Sequence, residues 1–125
     1  MARLLHSLFH TIGAGASAST TPLDLRLVEP VSLIMPPAWT GAGSAAITFY
    51  GSPDGVHYGY LSGGNAQLLR LMPINISRQY ILPTSWFKGI NWLFIISGEG
   101  ASRTNQCTTR TVCLNCRDRE ETETA

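Results

Sequence analysis

Glycine and proline recur along this chain too often for a scaffold helix, and between them lie short runs that alternate apolar and polar residues. Leu23-Asp-Leu-Arg-Leu27 is such a run, with the period of two that turns one strand face to a core and the other to solvent. Val31 to Met35 is a second, closed by Pro36-Pro37, which cannot continue a ladder. Ala45 to Ser52 and Val56 to Leu61 flank Pro53-Asp54-Gly55, a turn sequence that predicts a hairpin. Gln67 to Met72 and Arg78 to Leu82 read as further strands, each ended by a proline. Thr84 to Lys88 reads as a brief helical turn capped by Gly89. Asn91 to Ile96 is almost unbroken apolar sequence, the pattern of a central strand covered on both faces. Glu99 to Gln106 is polar and turn-rich, and Thr108 to Cys116 closes the series.

About eight short antiparallel strands without intervening helices predict an all-β fold, a β-sandwich or jelly-roll-like single domain with extended N- and C-terminal tails. Its 125 residues suit one core rather than two. Three segments are expected: an N-terminal arm and linker over residues 1–21, the sandwich over 22–116, and a polar tail over 117–125. The arm places Leu4, Leu5, Leu8, Phe9 and Ile12 at near-helical spacing, which predicts a short amphipathic helix offering an apolar stripe to a partner or to the sandwich edge. His6 and His10 interrupt the same stretch, so it is a poor signal peptide and is expected to stay on the chain. No run approaches the ~18 apolar residues of a membrane span. The tail holds four of the eight acidic residues and little to bury, so alone it is expected to be disordered unless a neighbouring chain holds it.

Nine basic residues against eight acidic ones create no field that would draw the chain to nucleic acid or to an anionic membrane. Eight of the nine basic residues are arginine, the cation suited to bidentate contacts at interfaces, and only 14% of the chain is charged. Both features lean towards assembly.

Chemistry is sparse. Cys113-Leu-Asn-Cys116 with Cys107 upstream is the one arrangement with metal-ligand spacing, but residues three apart on a strand point to opposite faces. The three cysteines are expected to be packed thiols in a protein made in a reducing cytoplasm, with no metal. Ser52, Asp54 and His57 are hydrolase residue types, yet all lie in one hairpin turn where backbone geometry accounts for them. Glycine pairs without a following helix give no phosphate loop, and Asp24, Glu29, Asp54 and Glu99 suggest no glycosidase pair. No catalytic residue, cofactor site or metal site is therefore assigned, and the chain is expected not to be an enzyme. Tyr50, Tyr58, Tyr60, Trp39, Trp86 and Trp92 are read as core aromatics, with a sugar-stacking platform as the alternative.

Met35-Pro-Pro-Ala-Trp-Thr-Gly-Ala, Ile47-Thr-Phe-Tyr-Gly-Ser-Pro-Asp-Gly-Val, Ser77-Arg-Gln-Tyr-Ile-Leu-Pro, Trp86-Phe-Lys-Gly-Ile-Asn-Trp-Leu, Asn105-Gln-Cys and Arg110-Thr-Val-Cys-Leu stand in that order. In order and spacing, over about residues 11–116, they resemble a family of small proteins encoded among tailed-phage and prophage structural genes. The resemblance implies a bacteriophage virion component without a catalytic motif. A capsid decoration or cement protein is the expectation drawn from it: a jelly-roll sandwich on the outer capsid surface, as a homo-trimer, with the major capsid protein as partner and the bacterial host cytoplasm as the place of synthesis. A tail-fibre or baseplate adhesion or carbohydrate-binding module is the alternative. The apolar first ten and acidic last nine residues depart from the family's pattern.

Overall fold

The computed structural model describes residues 5–65 and 67–119, and among these it contains ten strands and one 3-10 turn. The strands are β1 (Leu5–Ile12), β2 (Leu23–Asp24), β3 (Val28–Ile34), β4 (Ile47–Ser52), β5 (Gly59–Tyr60), β6 (Arg70–Leu71), β7 (Gln79–Ile81), β8 (Trp92–Glu99), β9 (Ser102–Arg103) and β10 (Arg110–Asp118). They form two sheets of antiparallel pairs. One runs β1-β10-β3-β7; the other runs β2-β8-β4-β5, with β6 beside β5 on the same edge of β4 and β9 beside β8. Two antiparallel sheets around one core make this a β-sandwich.

Alternation explains the core. Val112, Leu114 and Cys116 of β10, with Ile12 and Leu33, project inward from the four-stranded sheet, and Ile47, Phe49, Leu93 and Ile95 from the other. Phe49 is fully buried, meeting Phe87 edge-on at a centroid separation of 5.2 Å and Trp86 at 6.1 Å. The 3-10 turn Thr84–Phe87 exists to deliver those two rings, and Gly89 at φ +79° ends the segment.

The expected arm is part of the sandwich. Residues 5–12 form the edge strand β1, in unbroken register with β10 from Leu5 opposite Arg117 to Ile12 opposite Arg110. They are a strand and not the amphipathic helix expected from the spacing of Leu5, Leu8, Phe9 and Ile12. The reason is a coincidence of periods. His6, Leu8, His10 and Ile12 form the inward face of a strand, and Leu5 and Phe9, four apart, satisfy strand alternation as well as a helical stripe. A dozen residues gain little as a lone helix, whereas β10 supplies a complete hydrogen-bonding partner. At the other end β10 continues to Asp118, and Arg119 closes onto the Leu25–Val28 bend, its Nε 2.7 Å from the Leu25 carbonyl. The remainder of the expected tail, residues 120–125, lies outside the described residues, as do residues 1–4.

Several strands differ from their sequence patterns: Val56 to Leu61 keeps ladder pairing only at Gly59–Tyr60 and Gln67 to Met72 only at Arg70–Leu71. Leu23 to Leu27 keeps ladder pairing only at Leu23–Asp24, because the Asp24 carboxylate accepts from the Arg26 backbone N–H at 3.0 Å and bends the chain. Pro30, which sequence logic excludes from a strand interior, lies within β3, where the register with β10 skips Val31. The bulge leaves Val31 free of that ladder, and its carbonyl accepts from Leu82 N–H at 3.0 Å instead.

Candidate interaction site

Each sheet has an outer face, and the two are finished differently. On the six-stranded sheet Tyr50 of β4 and Phe94 of β8 project outward beside Tyr58 and Tyr60. Tyr50 stacks on Tyr58 at 5.4 Å and 17° and tilts against Tyr60 at 4.9 Å. Phe94 lies 5.6 Å from Tyr58. Arg103 of β9 donates from Nη2 to the Tyr60 hydroxyl at 2.9 Å, and Arg26 lies 4.8 Å over the Trp92 ring. The rings therefore cover one another and are half-buried. A pocket of about 230 Å³ remains beside them, lined by Ser19, Thr20, Tyr50, Phe94 and Arg103 among others.

The edges of that sheet are closed by short pieces. β5 and β6 lie end to end along β4, while β2 and β9 flank β8 with the linker between them, Ser97 N–H donating to the Ser17 carbonyl at 2.8 Å. Gly98 makes this possible. At φ +116° its absent Cβ would stand 2.6 Å from Arg103 Cα, so β9 can approach only a glycine. Gln106, fully buried, ties the region together: its Nε2 donates to Ser97 Oγ at 2.9 Å and its Oε1 accepts from Thr40 N–H at 2.8 Å.

The outer face of the four-stranded sheet is open. A polar row crosses all four strands: Ser7 Oγ donates to Asn115 Oδ1 at 3.1 Å, Asn115 Nδ2 to Ser32 Oγ at 3.1 Å, and Gln79 Nε2 to the same Ser32 Oγ at 2.9 Å. Apolar side chains stand around this row, with Leu5 77%, Phe9 65%, Ile34 37% and Ile81 78% exposed. Phe9, Cys113 and Ile34 share one register row. Leu5 borders the Arg117–Glu29 ion pair, whose Nε to Oε1 distance is 2.6 Å. Of the docking residues expected from the sequence, Leu5 and Phe9 project to this face, Leu8 is half-buried, Ile12 is in the core, and Leu4 lies outside the described residues.

The reactive residue types are explained locally. Asp54 accepts from the backbone N–H of His57, from His57 Nδ1, from the backbone N–H of Val56 and from Ser52 Oγ, at 2.6 to 2.9 Å, which holds its carboxyl well below the usual range. Ser52 Oγ in turn accepts from the N–H of Asp54 and Gly55. The serine is bonded to the aspartate and the turn, not to the histidine, so the three residues clamp a hairpin. Gly55 at φ +80° completes it, with Trp92 Nε1 3.0 Å from where a Cβ would be.

Cys113 faces outward and Cys116 inward, as strand alternation requires, and burial pushes the Cys116 thiol up to about 12. The exposed Cys107 thiol is lowered by hydrogen bonds, first from Thr40 Oγ1 at 3.2 Å. Among the described residues no three His, Cys, Asp or Glu side chains converge on a metal position.

Sequence reasoning missed His10. It points inward from β1 at the rim of a pocket of about 500 Å³ between β1 and the linker, with Ser19 N–H 3.5 Å from its Nε2. Burial pushes its pKa down to about 4, against a smaller opposing effect of a hydrogen bond to the Ile95 backbone. Even-numbered alternation in β1 was the available signal. No protein-family model, curated protein or solved structure matches this chain.

Proposed function

We propose that this protein is a structural component of a tailed-phage particle, a decoration protein that seats on the head shell and reinforces it. The observation that carries the reading is the open outer face of the four-stranded sheet, where Leu5, Phe9, Ile34 and Ile81 surround a hydrogen-bonded polar row. A rigid, mixed surface of this kind suits lateral contact with a protein shell, where about 1,000 Å² or more is needed for stable attachment. Location in the particle comes from the resemblance in sequence to phage structural proteins. The major capsid protein is the partner this reading requires.

Particles released from a host that carries the gene provide the test. Peptides of this chain in purified heads, in amounts comparable to the shell protein, support the proposal; heads and tails both free of it overturn it. Heads from a gene deletion should also break at a lower temperature or milder osmotic shock than the parent's.

A second reading, adhesion through carbohydrate at a tail fibre or baseplate, is favoured by one observation: Tyr50, Tyr58 and Tyr60 are half-exposed beside Arg103 and a pocket of about 230 Å³. Trp39 and Trp86 do not join them, since Trp39 is buried and Trp86 packs against Phe49. Binding to host-surface polysaccharide that is lost in Tyr58→Ala, together with location on tails, would select this reading over decoration.

A further inference from the structure

Of the strands that end the two sheets, β1 alone is long. The opposite edge, β7, has three residues and runs into Pro83, and the pieces closing the six-stranded sheet, β2, β5, β6 and β9, have two each. β1 has eight, Leu-His-Ser-Leu-Phe-His-Thr-Ile, with no proline, no bulge and no Lys, Arg, Asp or Glu. Proteins that remain single blunt an edge with such devices, because every second residue of an edge strand turns its N–H and C=O outward, ready to pair with another strand. Among the described residues, β1 has backbone pairing with β10 alone.

We infer that β1 pairs antiparallel with β1 of a second copy of this chain about a two-fold axis at Ser7, joining two four-stranded sheets into one continuous sheet. Three features select this occupant and this register. First, an antiparallel pair keeps outward residues with outward residues only when the axis falls on a residue, not between two. Second, an axis at Ser7 sets Leu5 of each copy opposite Phe9 of the other, so the two exposed large apolar side chains of the strand, at 77% and 65%, cover each other. Third, that register centres on the half of β1 that the linker leaves clear; the linker, with Ser19 beside His10, lines a pocket with Phe9, His10 and Thr11, so an axis further along the strand would run into it.

Charge fits a self-contact as well. The strand carries no formal charge that would be set against its own copy, and His6 is already engaged by Asp118 at 2.6 Å. A contact of this type is isologous and gives a closed dimer, in place of the homo-trimer expected from the resemblance to phage structural proteins. The inference stands apart from the location of the protein in a particle.

Sedimentation equilibrium on the full chain reads it directly. The wild-type protein is expected to dimerise with concentration. Phe9→Glu and Leu5→Lys, both at exposed positions, should each raise the dimer dissociation constant by about tenfold or more while leaving circular-dichroism melting of the monomer unchanged. The double variant Leu5→Lys/Phe9→Glu sets opposite charges across the axis and should recover much of the association. A monomer at every concentration, a trimer, a dimer indifferent to both single substitutions, or a double variant weaker than either single one overturns the inference. Chains that stay monomeric yet coat phage heads would sink the dimer and leave the decoration reading standing.

Discussion

The two sheets of this sandwich solve the same problem to different degrees. The six-stranded sheet covers its own outer face: four aromatic rings pack on one another, Arg103 bridges to Tyr60, and short segments close both flanks. The four-stranded sheet buries its inner side chains equally well but leaves Leu5, Phe9, Ile34 and Ile81 in solvent and, among the described residues, the outer edge of β1 unpaired. Leu27, Val56, Met72 and Ile76 are exposed as well, but singly, in segments between strands, whereas the four on the sheet share one face and edge, and such grouping marks surface that another protein completes. The contrast separates inner from outer surface: both sheets supply the core, and on the proposed reading only the open outer face and edge of the four-stranded sheet serve association, so substitutions there should leave the stability of the single chain unchanged.

The strongest way to break that separation is through the core both sheets share. Phe49→Ala removes a fully buried ring packed against Phe87 and should cost about 3–5 kcal/mol in urea unfolding. A loss under about 1 kcal/mol would mean that the core does not pack as described.

Acid offers the next largest effect. His10 binds its proton less readily folded, near pH 4, than unfolded, near 6.5. The unfolded chain therefore takes up more protons in that window, and stability falls as pH drops from about 6.5 to 4, by up to about 3 kcal/mol. Above 6.5 this contribution is constant. His10→Leu should flatten that part of the stability profile; an unaltered pH slope would remove His10 as its source.

Gln106→Ala sharpens the account of the closed sheet. It strips partners from Thr40 N–H and Ser97 Oγ in a buried site and should cost about 1–3 kcal/mol in the same unfolding assay. On the open sheet, Phe9→Ser and Ile81→Ser should shift monomer stability by less than about 0.5 kcal/mol, because neither side chain is buried in a single chain. A loss of several kcal/mol at Phe9 would show that the open face already belongs to the folding unit.

Much of this architecture was legible in advance. The hairpin around Pro53-Asp54-Gly55, the central apolar strand at Trp92–Ile96 and the turn ending at Gly89 follow from periodicity and turn chemistry, which act over a few residues. β1 was not legible as a strand, because Leu5, Leu8, Phe9 and Ile12 fit two periods and the deciding partner, β10, lies about a hundred residues away. Pro30 inside β3 depended on a bulge that appears only when β3 and β10 are aligned. The candidate site was half legible: Leu5 and Phe9 were expected at a contact surface, whereas Ile34, Ile81 and the Ser7-Asn115-Ser32-Gln79 row come from four separate segments.

The sequence by itself determined that the chain is all-β, where it turns, and which residues can face a core, since these depend on local backbone preference and on alternation within a strand. Tertiary structure decided which strands are neighbours, and with that which edge stays open and which apolar side chains are left uncovered. Those outcomes depend on pairing between distant segments, where hydrogen bonds and burial are gained together and one residue of register sends a side chain inward or out to solvent.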